Sequence, residues 1–453
     1  MDLKNGINRL ISEESFYRAV MVLITGLPVV EFVTEILSKF SSSIISFNYV
    51  PILFSLFGIA GTMLTIIYRV TSFRRGAKLR TADIFCITLL FFMIISAVFS
   101  HDPGLYSGGD YLRCEDPFHF LAYYWLFFAG TLIDNPKYRK NLLFAFTAVA
   151  ILEGVIAFFQ TFNIELSTCY LYRADRAAYG LTQNSNYYGC LSVFFTACIS
   201  GLYIFSETII SSKIIRCILP FIAGFVFYTM IGSRARLAWA GFIALVIFYA
   251  VSLIIMSKKD RESVRPAVRR AFILSGVFLT VFLIAFYFTD FIREAAERSY
   301  WEVVNGDVEM MGTQRLYIWK WGLKSVPDNW LTGVGLDNYQ YVFFSSPDFH
   351  EGMYQQDKAH NEYIHILVTQ GIPALINYLA LLIYTCAGAV RKVLHEDSAE
   401  RRALTWILLG AFVTYSASAL FNISITYVAM YFWLVIGLII PRSPLQHSGD
   451  KLQ

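Results

Sequence analysis

The chain has 453 residues, of which 56% are hydrophobic, 17% aromatic and only 15% charged. A soluble domain carries about a quarter charged residues, so this composition excludes an ordinary soluble protein and indicates that lipid is the solvent for much of the surface. The net charge of +4 excludes little by itself, and the positions of the basic residues are more informative.

Apolar segments recur along the whole chain at lengths close to the roughly 20 residues that a helix needs to cross a bilayer. The fourth is short, so we expect it to tilt little or to enter the membrane only in part. The first segment follows a polar stretch and precedes no small-residue cleavage site, so we expect a retained helix. The sequence therefore predicts an all-α, polytopic membrane protein, a single integral-membrane domain over residues 1–453 with about twelve transmembrane helices. The predicted spans are 17–38, 48–69, 83–100, 117–133, 141–162, 187–205, 215–232, 237–256, 271–289, 362–389, 404–421 and 425–441.

Most of the 37 Lys and Arg residues fall at the termini and in alternate connections between these spans. Basic residues gather in short cytoplasmic loops, so the pattern predicts that both termini are cytoplasmic. The same assignment places four connections outside the membrane on the far side, namely 101–116, 163–186, 233–236 and 290–361.

The last of these connections is too long for an idle linker. Leu316, Trp319, Leu323 and Val326 recur in it at helical spacing and Pro327 follows, which predicts a helix whose apolar stripe these four residues form. The large extracytoplasmic loop is thus expected to be partly helical. Its tryptophans suit the membrane–water interface, and a few of them would also stack on sugar rings.

Few charges lie within the predicted spans, and intramembrane ionisable groups are functional candidates. Glu153 either serves function or hydrogen-bonds a neighbouring helix. Glu31 and Glu35 lie one turn apart and would share an aqueous cleft, but we base no site on them. His365 lies close to Glu362 and His360, yet the sequence has neither a HExxH motif nor a second ExxH, so we predict no metal site.

The cysteines form no CxxC pair, which argues against a thiolate metal site. Cys114 and Cys169 both fall in segments predicted to be outside, and they would form a disulfide if that side is oxidising. The other five fall in apolar segments and are expected to be small core residues: Cys86, Cys190, Cys198, Cys217 and Cys386.

Two arginines, Arg234 and Arg236, lie where two apolar spans meet with no room for a loop. A helix-end arginine commonly reaches to lipid headgroups, but two in three residues, on the side where positive charge is disfavoured, favour an anion site. Arg315 starts the predicted loop helix, where the helix dipole also favours anions. The guanidinium group suits the paired oxygens of a phosphate or diphosphate.

His360 and Asn361 lie at the mouth of the tenth span, eleven and ten residues before Gly371. At about 100° per residue, Gly371 would lie on the same helix face three turns below His360 and leave space for another chain, with Pro373 kinking the helix. A neutral imidazole is a suitable general base, and nearby arginines would keep it neutral. The alternative is a histidine that caps the helix or bonds a carbonyl group.

Taken in order, these pieces resemble the O-antigen ligase and Wzy-type polysaccharide polymerase family of membrane glycosyltransferases, over roughly residues 180–373. The first is 180–186, with Ser185 where the family has proline, and the second is Ser233-Arg234. The third runs from Arg315 to Trp319 and continues through Pro327 to the GxG of 333–335. The fourth is His360-Asn361 with Gly371, followed by Ala374 where the family often has Gly, Thr or Tyr.

The resemblance implies a GT-C-like fold and an inverting glycosyltransferase that needs neither metal nor cofactor. The donor would be an undecaprenyl-diphosphate-linked oligosaccharide, the acceptor a glycan, a lipid or a protein, and nucleic acid would play no part. The resemblance assigns His360 as general base and Arg234 and Arg315 as the groups that stabilise the diphosphate. It assigns five further residues to substrate binding: Arg236, Asn186, Asn361, Trp319 and Gly371.

The implied role is biosynthesis of a cell-envelope polysaccharide (O-antigen, capsule or exopolysaccharide) at the outer face of a bacterial plasma, or inner, membrane. Polymerisation of repeat units is slightly favoured over ligation, and transfer to a protein is a third variant. A twelve-helix transporter of polysaccharide or small solutes is the alternative from another class. Transporters usually show repeated halves and midplane polar helices, whereas here the halves look unlike and the polar residues crowd one surface.

Overall fold

A computed structural model describes residues 11–38, 49–102, 116–164, 166, 177–259, 261–304, 314–344 and 356–441. These residues form helices and no strands, which confirms the all-α class. The helices are α1 (Glu13–Ser38), α2 (Tyr49–Arg74), α3 (Thr81–Val98), α4 (Pro117–Leu132), α5 (Pro136–Gln160), α6 (Ser185–Ile204), α7 (Ser206–Ile209), α8 (Lys213–Gly232), α9 (Arg236–Lys259), α10 (Arg261–Phe288), α11 (Phe291–Val304), α12 (Arg315–Ser325), α13 (Tyr341–Phe344), α14 (Glu362–His395), α15 (Ala399–Ser418) and α16 (Thr426–Ile439), with a 3₁₀ turn at Ala419–Phe421.

Ten helices in the described part of the chain are long and apolar enough to cross a membrane: α1, α2, α3, α5, α6, α8, α9, α10, α14 and α15. The protein is therefore a polytopic membrane protein, as predicted. The fourth and twelfth predicted spans correspond to α4 and α16, which have only 16 and 14 residues. Eleven of the sixteen residues of α4 and thirteen of the fourteen of α16 are buried, so neighbouring helices rather than lipid surround most of their length, and the full bilayer length is not required of them.

The two short helices, α4 and α16, cross where each carries a glycine. A Cβ atom on Gly130 would lie 2.7 Å from the carbonyl oxygen of Leu434 and 2.9 Å from Cα of Gly437. Small residues let membrane helices approach closely enough for backbone contact. Such close packing stabilises helix pairs in a membrane, where no hydrophobic effect drives helices together.

Helix α6 is the central helix of the bundle. The apolar stretch of α6 is completely buried, and the helix packs against α5, α8, α9 and α15. Helix α10 is the opposite case, since Phe272 and Phe288 are 75% and 83% exposed, and this face is turned toward lipid. The first turn of α6 consequently lies near the middle of one end of the bundle.

We call that end the loop end, and it comprises residues 177–184, 233–236, 314–344 and 356–361. The other end, here the basic end, holds ion pairs in which Arg69 and Arg80 both contact the buried Asp83, and Arg401 contacts the partly exposed Asp134. The described residues of the predicted site thus lie at the opposite end of the bundle from these ion pairs.

The tenth predicted span differs most from its prediction. Helix α14 runs over 34 residues but is broken at Gly371, which has φ 89° and ψ 171°. In a straight helix Glu362 and Tyr378 would be roughly 24 Å apart, yet their side chains form a 2.5 Å hydrogen bond. The chain therefore folds back at Gly371, and the prediction that Gly371 lies below His360 on one helix face is wrong.

Helix α12 confirms the predicted loop helix. Leu316 and Leu323 are 42% and 48% exposed, whereas Ile318 and Trp321 are buried against Phe343 and neighbouring loop residues. The fully buried side chains of α12 thus lie outside the stripe found in the sequence, while Trp319 and Val326 of the stripe are partly buried against the same loop residues.

The cysteine predictions have a mixed outcome. Cys190 and Cys198 are buried, Cys86 and Cys386 partly so, but Cys217 is exposed on α8, so its assignment to the core is wrong. In a membrane bundle an apolar position is as compatible with lipid contact as with burial. The proposed Cys114–Cys169 disulfide lies outside the described residues.

Candidate active site

The segment 177–184 enters the bundle and is held there by Gln160 at the end of α5. The Gln160 side-chain oxygen accepts hydrogen bonds from the backbone N–H groups of Tyr179 (2.9 Å) and Gly180 (2.8 Å), and its Nε2 donates to the Gly180 carbonyl at 3.1 Å. Backbone groups in a buried loop must find such partners, so one side chain replaces the missing secondary structure.

Two intramembrane carboxylates complete this support. Glu153 accepts a 2.8 Å hydrogen bond from the backbone N–H of Leu181, and Glu31 accepts from Gln183 at 2.9 Å and from the Tyr427 hydroxyl at 3.2 Å. Of the two alternatives for Glu153, hydrogen bonding to a neighbouring segment is the one observed. These residues shape the loop end from below.

Replacing Gln160 with leucine is expected to destabilise the protein by about 1–3 kcal/mol for each buried backbone group left unpaired, because three hydrogen bonds are lost together. The melting temperature in detergent, followed by tryptophan fluorescence, measures the effect. Asn141→Leu on the same helix removes one half-buried hydrogen bond to Tyr17 and should cost far less. Equal melting temperatures for the two variants would contradict this account.

The turn between α8 and α9 positions Arg234. Ser233 ends α8 with its hydroxyl on the Met230 carbonyl, and Arg234 then adopts the left-handed region with φ 56°. The Arg234 guanidinium lies 4.9 Å from the centre of the Phe291 ring and forms an ion pair with Glu294. The turn therefore points Arg234 at the start of α11. The two spans on either side of it are joined without a longer loop, as predicted.

A cavity of about 220 Å³ opens beside this turn. Arg234 and Arg236 supply its charge, and its apolar walls come from α8, α9 and α11: Ile231, Trp239, Phe291, Ile292 and Ala296. A cavity with guanidinium groups at one side and hydrocarbon walls at the other suits an anion that carries an apolar tail.

Helix α12 and the segment before α14 are joined through Trp319. Its indole N–H donates to the carbonyl of Ala359 at 2.8 Å, one residue before His360. Arg315 lies one helical turn earlier on the same face of α12. The Trp319 hydrogen bond therefore joins the helix that begins at Arg315 to the residue just before His360.

Tyr339 fixes α12 to α14 from behind. Its hydroxyl donates to the Ile318 carbonyl at 2.9 Å, and its ring stacks on His365 at 5.5 Å. Burial raises the pKa of the Tyr339 phenol well above its ordinary value, so the group stays a neutral donor. The Lys358 ammonium, also buried, contacts Asp337 at 2.5 Å and ties the segment before His360 to the same loop.

The break in α14 is filled by the GxG segment of the loop. Without the break, the Val368 and Thr369 carbonyls would face the backbone of residues 372 and 373, and Pro373 has no N–H. Instead Val334 and Gly335 donate to these carbonyls at 2.9 and 3.0 Å.

Ile372 in turn donates to the Trp330 carbonyl at 2.7 Å. The predicted close approach of another chain at Gly371 is thus confirmed, and the approaching chain is 330–335. Gly371 makes this contact with protein backbone, and its predicted role in substrate binding stays a prediction.

His360 and Asn361 lie just before α14. His360 has φ 49°, and Asn361 caps the helix by accepting from the backbone N–H groups of Tyr363 and Ile364, each at 3.0 Å. Capping is therefore the task of Asn361, and its side-chain oxygen is engaged inside the protein. The next residue, Glu362, is buried and accepts from the Tyr378 and Tyr415 hydroxyls at 2.5 and 2.9 Å.

Left-handed backbone marks each of the four sequence elements. Among the described non-glycine residues, six have a positive φ, and four of them belong to or adjoin those elements: Gln183, Arg234, Gln314 and His360. Such conformations cost on the order of 1–3 kcal/mol, and strained residues cluster at functional sites. The observed strain is thus a local reason to place function at Arg234 and His360.

Three of the four elements lie near the first turns of α6, which begins within the first of them. A Cβ atom on Gly189 would lie 3.0 Å from the Ser233 hydroxyl, which places the arginine turn against one side of α6. Cys190, the next residue, is close enough to Glu362 for electrostatic coupling and hydrogen-bonds to Asn422. Asn186 lies at the start of the same helix and is partly exposed, so it faces the space above these elements.

Residues 221–379 match the family model described as O-antigen ligase. The matched stretch contains Arg234, Arg315, His360 and Gly371, in the order found above. This segment belongs to the O-antigen ligase family. Among curated proteins, none matches the sequence significantly.

The O-antigen ligase domain accounts for three of the four elements and leaves 180–186 outside the matched residues. Together with the spanning helices it gives the protein a membrane role of the O-antigen ligase or polymerase type, which is glycosyl transfer. The resemblance stated from the sequence is thereby confirmed. The described non-glycine residues of the domain that have a positive φ, Arg234, Gln314, Asp337 and His360, all lie at the loop end.

Several residues of this domain escaped the sequence reasoning. Glu294 pairs with Arg234 from a helix that was read as part of a loop, and Glu362 was considered only as a metal ligand. In the described residues no group of three or more His, Cys, Asp or Glu side chains could hold a metal ion. No signal in the sequence marked Glu294, because only the fold brings it to Arg234, which lies 60 residues earlier.

Proposed function

We propose that this protein transfers a glycan from a polyprenyl-diphosphate carrier, of the undecaprenyl type, to an acceptor hydroxyl at the loop end. The loop end would face away from the cytoplasm, because the basic connections lie at the other end. Support comes from the O-antigen ligase match and from the arginine-lined cavity beside an apolar wall.

In the proposed reaction the acceptor oxygen attacks the anomeric carbon and the bond from that carbon to the diphosphate oxygen breaks. The electron pair leaves with the diphosphate, and the hydroxyl proton passes to the imidazole of His360. Attack opposite the leaving group inverts the anomeric centre. The leaving group is already anionic, so it requires positive charge from Arg234 and Arg315 more than it requires a proton, with Arg236 and Asn186 binding the carrier and glycan.

One observation carries this proposal. The two residues assigned to opposite sides of the anomeric carbon, Arg234 at the leaving diphosphate and His360 at the attacking hydroxyl, both adopt left-handed backbone although neither is glycine. The turn that contains Arg234 lies against Gly189 of α6, since a Cβ atom there would be 3.0 Å from the Ser233 hydroxyl. Left-handed backbone at a non-glycine residue raises the free energy of the folded state, and such strain clusters at functional sites. Its presence at both positions therefore favours a functional role for the orientation of these two side chains.

Arg234→Ala and Arg315→Ala are each expected to lower turnover on a purified diphospho-lipid-linked repeat unit by about 10²–10³-fold, the cost of removing one preorganised charge. Gel analysis of products from protein in lipid nanodiscs measures it. Arg293→Ala is the matched control, since Arg293 is exposed on α11 and pairs only locally with Asp290. Near-normal turnover in both Arg234→Ala and Arg315→Ala would refute the proposed site.

The same reconstitution separates the possible acceptors. A ladder of longer lipid-linked products from the donor alone indicates polymerisation, which we favour slightly. Product that forms only after a lipid or protein acceptor is added indicates ligation or protein glycosylation. Uptake of labelled solute that survives His360→Ala would instead favour a transporter.

A further inference from the structure

The Arg234 guanidinium is occupied by a side chain of the same protein. Its Nη1 donates to the Glu294 carboxylate on the first turn of α11, and Phe291 of the same turn covers it. Both arginines of the 220 Å³ cavity therefore face a helix that brings its own negative charge to the position where a diphosphate is proposed to bind.

Glu294 is an incomplete partner for this arginine. Arg234 is 9% exposed, and its buried Nε–H has no hydrogen-bond acceptor within the part of the chain that the structure describes. A buried donor without an acceptor is costly, and a guanidinium matches the spaced oxygens of a phosphate through Nε and Nη together. A tetrahedral phosphate group would thus satisfy a donor that Glu294 leaves unpaired.

The Glu294 carboxylate can separate from Arg234 and become solvated. The Glu294 side chain is 44% exposed, so it returns to water with little loss when its partner is taken. The anchor of the helix is a different residue, since Phe291 is buried and lies against the end of α8 near Gly232. Glu294 can therefore release Arg234 while α11 stays attached.

We propose that Glu294 is a placeholder for the donor, an acidic side chain that holds Arg234 in the empty site and is displaced by the diphosphate of the lipid carrier. The inference rests on the proposed function, because it assumes that Arg234 binds the diphosphate. The Glu294 carboxylate and the diphosphate of the donor compete for Arg234, so donor binding must first break the Arg234–Glu294 ion pair. Glu294 thereby also excludes smaller or less charged anions, which gain too little to displace it.

Glu294→Gln tests the competition, since glutamine keeps the size and removes the charge. We expect the dissociation constant of farnesyl diphosphate, used as a short fluorescent-labelled probe with protein in nanodiscs, to fall by about two- to five-fold, the range for a partly exposed ion pair. The KM for the lipid-linked donor should fall equally, with kcat unchanged. Weaker probe binding or an unchanged constant would overturn the placeholder role, the former showing that Glu294 positions Arg234.

Glu297→Gln is the control, because it removes the same charge one turn later on α11, and it should leave probe binding unchanged. Arg234→Ala separates this inference from the function on which it rests. If Arg234→Ala weakens binding while Glu294→Gln does not strengthen it, only the placeholder fails. If Arg234→Ala has no effect on probe binding, the proposed donor site itself is wrong.

Discussion

Replacing His360 with alanine is expected to lower glycan transfer by about 10²–10⁴-fold, the range for loss of a positioned general base. The acceptor hydroxyl then has no group to take its proton as the bond to the anomeric carbon forms. The variant should fold, since His360 precedes α14 and the helix cap comes from Asn361. Single-turnover kinetics with protein in nanodiscs measure the chemical step, and the alkaline limb of the rate should rise in the variant as hydroxide replaces the imidazole.

His101→Ala is a suitable control for this prediction. His101 also lies at the loop end, where it stacks on Tyr341 and bonds to Asn329, but it has no assigned part in the reaction. It should keep most of the wild-type rate. A loss in His101→Ala equal to that in His360→Ala, or a normal rate in His360→Ala, would remove His360 from its role as base.

The sequence predicted the membrane bundle well because two independent physical signals agreed, namely span length and the placement of basic residues. The sequence also placed the two short helices, α4 and α16, within two residues of their observed ends, but it did not show that they are shielded from lipid. Helix α16 has 14 residues and α4 has 16, and their glycine crossing at Gly130 and Gly437 compensates for their length through contact with other helices. Hydropathy reports how apolar a segment is, and it does not report whether lipid or protein surrounds it.

The candidate site was predictable as a set of residue types but not as an arrangement. Arg234, Arg315 and His360 stand out in sequence because each is polar beside apolar runs. The fold-back at Gly371 depends on hydrogen bonds from Val334 and Gly335, which lie more than thirty residues away and have no local signature. Glu294 also has no local signature, since its role depends on the ion pair that it forms with Arg234 in the folded protein.

Replacing Gly371 with alanine is expected to cost about 3 kcal/mol or more and to abolish most activity. Its φ of 89° with ψ of 171° is a region that only glycine adopts readily. A Cβ atom there would also lie 2.6 Å from the Leu331 carbonyl oxygen and 2.9 Å from that of Trp330, and backbone cannot move aside as a side chain would. The melting temperature in detergent should fall by several degrees.

The loss of activity should exceed what instability explains, because the fold-back carries His360. Without it, the Glu362 carboxylate cannot reach the Tyr378 hydroxyl, and the segment that starts at His360 loses its orientation toward α6. Gly276→Ala on α10 is the control, since no atom lies within 4 Å of the added Cβ and alanine favours the helix by about 1 kcal/mol. If Gly371→Ala and Gly276→Ala have the same melting temperature and the same activity, the chain does not turn at Gly371. The proposed approach of the His360 imidazole to the arginines then has no support.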